Sequence, residues 1–209
     1  MDVRQLGPFD VRPPRARVAG IVPAAIGIGM DTQSEPISVG DLLISAHEAG
    51  HAVAAMEHGC RVAEMVLLPG GPDQPGGFTQ LESYATDRRQ EAVRHIAGPA
   101  AEVTAAGVTG VLKQSALAAL RFSLSPAGMG RDDGRRLAEL DLGSVEAELV
   151  AAEALEIVLA RWSIVEVLAV TLLDEGRLSC KRVEEIWLGA PVEPATWAEM
   201  VWREPNLAF

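Results

Sequence analysis

A polar trio set into an alanine- and leucine-rich stretch constrains this chain more than any other feature. Residues Asp41 to His58 read DLLISAHEAGHAVAAMEH, followed by Gly59. Asp41 suits a helix N-cap and Gly59 a C-terminal stop, so the stretch predicts one helix. Within it, His47-Glu48-Ala49-Gly50-His51 forms an HExxH pattern. Residues four apart on a helix lie on one face, one turn from each other. Both imidazoles can therefore reach a single Zn²⁺ at about 2.0–2.1 Å. Glu48 is placed beside such an ion rather than on it, where its carboxylate can take a proton from water whose pKa the metal has lowered. Histidine is scarce, with four in the chain, and two of them flank this glutamate at helical spacing.

Two protein ligands fall short of a catalytic zinc site, which normally has three and a water. An HExxHxxGxxH extension is excluded, because its positions are occupied by Ala54 and Glu57. His58 shares the helix face but lies about 10.5 Å along the axis from His51, too far to share the ion. The residues alone leave four downstream carboxylates open as third ligand: Glu82, Glu102, Asp132 and Asp133.

Around the motif, 209 residues suffice for one sizeable domain with a core. A net charge of −11 argues against nucleic acid and anionic lipid as partners. The two cysteines, Cys60 and Cys180, make no disulfide framework and no CxxC pair; they read as ordinary thiols of a cytoplasmic protein. The apolar run Val18 to Met30 is broken by Pro23 and is shorter than the about 20 residues of a membrane span. No secretory signal is expected.

Three segments follow: an irregular Pro- and Gly-rich arm over 1–38, a body over 39–189, and an extended tail over 190–209 with Pro191, Pro194 and Pro205. Val62–Leu68 and Phe78–Leu81 are β-prone and joined by a Pro/Gly loop, which predicts a small ribbon and no larger sheet. Helix resumes at Asp87, with an interruption at Gly98-Pro99, where Pro99 opens a new piece. Further helices are expected at about 112–124, 133–142, 145–175 and 181–188. The expected fold is mainly α, with the ribbon beside the HExxH helix. His95 and Tyr84 carry only a packing or surface reading.

Four segments, in order, resemble the FtsH-type zinc metallopeptidases. HEAGHA at His47 to Ala52 is similar to their active-site helix. Leu67-Leu68-Pro69 followed by Gly77-Phe78-Thr79-Gln80 resembles their Gly-aromatic-Thr strand pair. Ala97-Gly98-Pro99-Ala100-Ala101-Glu102 resembles their Gly-x-Ala-Ala-Glu helix, and Gly130-Arg131-Asp132-Asp133 the helix start that supplies a third ligand. The resemblance spans about residues 40–188.

That resemblance implies one zinc per chain held by His47, His51 and Asp133, with Glu48 catalytic, Glu102 orienting a ligand histidine, and Gly77, Phe78 and Thr79 binding an extended substrate. Asp133 is preferred to Asp132 because it puts Leu137 and Leu140 at the +4 and +7 positions that are apolar in the family, whereas Asp132 puts Arg136 at +4. The family's Ser-Asn before the ligand is missing. So is a GxxxxGK[ST] loop, so ATP-driven unfolding is not expected from this chain. The implied activity is endopeptidase cleavage of unfolded or extended polypeptides, with self-association or a separate ATPase as further partners. The alternative is a zinc-stabilised peptide-binding or adaptor module without turnover, to which Glu48 would be superfluous.

Overall fold

The computed structural model describes residues 39–68, 76–82, 87–108 and 131–189. All belong to the compact unit Pro36–Phe209. The expected N-terminal arm, the 112–124 helix, the 69–75 connection, Tyr84 and the extended tail lie outside the described residues. In chain order the elements are α1 (Val39–Glu57), β1 (Val62–Leu68), β2 (Gly76–Leu81), α2 (Arg88–Val108), α3 (Arg131–Glu139), α4 (Ser144–Ala160), α5 (Trp162–Glu175), β3 (Arg177–Ser179) and α6 (Cys180–Trp187). The fold is mainly helical with one small antiparallel sheet, of strand order β2-β1-β3.

Helix α1 is the spine. It is buried on nearly every side, at Leu42, Ser45, Ala46, Ala49, Gly50, Ala52, Val53, Ala54 and Ala55, which is why its sequence carries no single apolar stripe. It packs on α2, α4, α5 and the sheet. The small residues let α2 come close: a side chain on Gly50 would meet the Ala101 methyl at 2.7 Å. Gly59, at φ +74°, ends the helix in the left-handed conformation that glycine adopts without strain.

The ribbon β1–β2 pairs Leu68 with Gly76 through Val66 with Phe78 to Val62 with Leu81. A register shift between Val62 and Glu64 breaks the alternation, so that Val62 and Met65, three apart, are both buried. The third strand, β3, was not foreseen. It is three residues long, too short for a periodicity to show, and exists because Gly176 (φ +69°) turns α5 back onto β1.

Two helix boundaries also differ from expectation. Helix α2 runs unbroken through Gly98-Pro99. Proline removes one N–H but its fixed φ is helical, and both residues are buried, Gly98 against the His47 and His51 rings of α1, so packing offsets the missing bond. Conversely, the predicted 145–175 helix is broken at Arg161 (φ −110°, ψ 19°). No glycine or proline marks this break. Arg161 Nε donates to Glu57 Oε2 at 2.9 Å and its guanidinium lies 5.5 Å from the Trp187 ring centroid, so tertiary contacts fix the corner. Below α1 the core is closed by Met65, Ile96, Val150, Leu168, Leu172 and Leu178. Both cysteines are free thiols.

Candidate metal centre

His47 and His51 leave the same face of α1 toward α2 and the start of α3. Their rings meet edge to face, with centroids 4.7 Å apart, and their Nε2 atoms are 3.0 Å apart. Asp133 closes the triangle: Oδ2 lies 3.1 Å from His47 Nε2, and Oδ1 lies 3.5 Å from His51 Nε2. Donors about 2.0–2.1 Å from one tetrahedral ion sit about 3.3 Å from each other, which is the spacing found here. Among the described residues, these three form the group whose ligand atoms are close enough to hold a metal ion.

The outer nitrogens of the two rings fix their tautomers. Arg94 O is a carbonyl and can only accept, so His51 Nδ1–H donates to it, at 2.7 Å. His47 Nδ1–H donates to Glu102 Oε2 at 3.1 Å. Each ring thus turns an Nε2 lone pair inward, the arrangement by which outer partners orient metal-binding histidines. Two lone pairs 3.0 Å apart and facing a carboxylate repel unless a cation or a proton lies between them.

The titration behaviour expresses the same demand. Burial alone would lower the His47 pKa, but the hydrogen bonds with Asp133 and Glu102 outweigh it and raise the value from 6.5 to about 10. Burial likewise opposes the charge on His51, yet Asp133 raises it. Burial would raise the Asp133 carboxyl; the His51 charge and hydrogen bonds from His47, His51 and His95 instead hold it well below the usual carboxylate range.

Gly98 makes the approach of α2 to this cluster feasible. A methyl there would lie 2.8 Å from His47 Nε2 and closer still to the His51 ring. Glu48, only 5% exposed, sits against Gly77 of β2. Thr79 Oγ1 lies 2.8 Å from a Glu48 carboxylate oxygen and 3.0 Å from the Glu48 carbonyl, so its hydroxyl hydrogen serves one or shares both. Its negative charge helps to raise both histidines.

The residues singled out in the sequence thus separate into groups. His47, His51, Asp133 and Glu102 are brought together, with Glu48 beside them. Gly77 and Thr79 face Glu48, so the Thr79 side chain is committed to that carboxylate, while Phe78 is exposed on the ribbon. Asp132 points away: its side chain is 91% exposed and pairs with Arg135 at 3.7 Å. Glu82 pairs with Arg61 at 3.0 Å. His58 sits near Glu153, at 3.9 Å.

Sequence reasoning missed His95. Its Nδ1 is 3.4 Å from Asp133 Oδ1. The signal was its spacing, three residues before Gly98 and seven before Glu102, which puts all three on one face of α2. Arg94 was also missed, since its contribution is a backbone carbonyl. Its buried guanidinium donates to Cys60 Sγ at 3.4 Å. No protein-family model matches the chain, and no curated protein matches it.

Proposed function

We propose that the chain is a zinc metallopeptidase that cleaves unfolded or extended polypeptides. The observation that carries this reading is Glu48, a buried carboxylate held by Thr79 beside a His-His-Asp triangle of metal-ligand spacing. A site that only held an ion would have no use for a further carboxylate that is not one of its ligands; a carboxylate there serves proton transfer. The ordered resemblance of four segments to the FtsH-type peptidases supports the same assignment.

His47, His51 and Asp133 hold the ion in this reading, and two nitrogens with one carboxylate oxygen is a ligand set that zinc accepts. Zinc supplies Lewis acidity, which polarises a carbonyl and lowers the pKa of water. The chain's own residues do the rest. Glu48 takes the proton of the attacking water and returns it to the leaving amine. Thr79 and Gly77 fix that carboxylate, so that no rotamer has to be selected during turnover. Glu102 and Arg94 O keep both histidine lone pairs pointing inward.

The ribbon supports a polypeptide substrate. Strand β2 is at the edge of the sheet, and an edge can hold an extended chain by main-chain hydrogen bonds. Leu68 and Phe78 add exposed apolar surface on the same ribbon. Among the described residues no helix is long and apolar enough to cross a membrane.

The test is hydrolysis of an unfolded chain such as casein by the zinc-loaded protein. The parent is expected to cleave it, and His51→Ala and Asp133→Ala to lose both zinc and cleavage. A parent that holds stoichiometric zinc but turns over neither casein nor short peptides would favour the adaptor module instead.

A further inference from the structure

His95 is the one histidine near the cluster that has no part in the reading above. Its ring is largely buried, with 18% of the side chain exposed. Nδ1 lies 3.4 Å from Asp133 Oδ1, while Nε2 is 4.0 Å from Glu91 Oε1, beyond hydrogen-bond reach. A carboxylate oxygen only accepts, so Nδ1–H is the donor.

Hydrogen-bond accounting around Asp133 gives this contact its meaning. Among the described residues, the groups that reach its two oxygens are His47, His51 and His95. His47 and His51 already give their Nδ1–H to Glu102 and to Arg94 O. Once their Nε2 lone pairs are on a cation, neither ring has a hydrogen left for Asp133. One carboxylate oxygen then goes to the ion, and the other needs a donor in a site where only 13% of the Asp133 side chain is exposed. His95 Nδ1–H remains, and it sits on Oδ1, leaving Oδ2 for the metal.

We propose that His95 is a positioning residue that holds Asp133 Oδ1, so that Asp133 meets the ion through Oδ2 alone. This rests on His47, His51 and Asp133 being the metal's ligands. The consequence is chemical as well as geometric. A carboxylate with one oxygen held by His95 would offer only the other to the ion, which would leave room for water and a substrate carbonyl. The contact also joins the start of α3 to α2, the helix that carries Gly98 and Glu102 on the same face. Asp133 would otherwise depend on a short, mostly exposed helix for its placement.

The experiment is zinc affinity of the full chain, measured by competition with a chelator. His95→Ala is expected to weaken binding by about 10- to 100-fold, the range for removal of an outer partner of a metal ligand. His95→Asn carries an amide N–H at the place of Nδ1 and is expected to recover most of that loss. In an Asp133→Ala background, His95→Ala is expected to have no further effect, because the carboxylate it holds is gone.

Parental affinity in His95→Ala would overturn the proposal. So would equal losses in the Ala and Asn variants, or an undiminished effect of His95→Ala without Asp133. If His95→Ala loses its helical circular dichroism, the Asn variant and the parent decide the matter. His51→Ala separates the two levels: parental affinity there would sink the metal centre itself, whereas its loss beside an unaffected His95→Ala would remove only the role of His95.

Discussion

At the residue scale, a proton and a cation would compete for the same Nε2 lone pairs of His47 and His51. The raised His47 pKa, from 6.5 to about 10, sets the sign. In the metal-free protein the His47 interactions stabilise the fold fully below pH 6.5, and that contribution fades as pH rises toward about 10. The depressed Asp133 carboxyl acts in the opposite sense: its contribution is present above its usual 3.8 and is lost as acid protonates it. Zinc bound by the proposed ligands would have to expel the histidine protons, so its affinity is expected to rise steadily between pH 6.5 and about 10. At neutral pH at least one proton should appear in solution per ion bound. Calorimetry in buffers of different ionisation enthalpy measures this, and pH-independent binding without proton release would contradict it. The pair His47/His51 and the neighbouring Glu48 were legible because helical spacing alone puts them together. The preference for Asp133 over Asp132 came from the resemblance, which puts apolar residues at +4 and +7, where Leu137 and Leu140 stand after Asp133. His95 was not assigned to the site: its spacing to Gly98 and Glu102 put it on their face of α2, but the same spacing serves a histidine that merely packs in a helix.

At the element scale, the site depends on how near α2 can come to α1. Gly98 is the point of contact, where a methyl would press on both ligand histidines. Gly98→Ala is expected to destabilise the fold by about 1–3 kcal/mol, as overpacking does, and to lower zinc content disproportionately because the strain falls on the His47 and His51 rings. Urea unfolding with metal analysis tests this; a variant of parental stability and full zinc content would contradict the close crossing. The same contact explains why the Gly98-Pro99 interruption expected from the sequence is absent: local punctuation yields to burial on both faces. The break at Arg161 is the converse, a corner imposed by Glu57 and Trp187, partners far away in the chain and thus invisible to any local pattern. The β-ribbon was readable from two short β-prone runs joined by a Pro/Gly loop; β3 was too short to be.

At the scale of the whole molecule, the candidate ligands come from α1 and from α3, between which lie β1, β2 and α2. An ion that joins them is expected to stabilise the entire domain rather than a loop. Free zinc at about a hundredfold over its Kd adds about 2.7 kcal/mol, which corresponds to a rise in Tm of roughly 5–10 °C for a domain of this size. His51→Ala should abolish that rise, and a thermal melt indifferent to zinc would speak against a bridging ion. The mainly α architecture was legible as a whole, since long helical stretches dominate the sequence and the only strand signals were weak and few. The central claim is that this scaffold exists to cleave peptide bonds, and the most direct measurement of it compares the zinc-loaded parent with Glu48→Gln on unfolded casein. The variant keeps the shape and the Thr79 contact but cannot accept a proton, so zinc content should stay at the parental level while the cleavage rate falls by at least about a hundredfold. Cleavage by the glutamine variant as fast as by the parent would contradict the account.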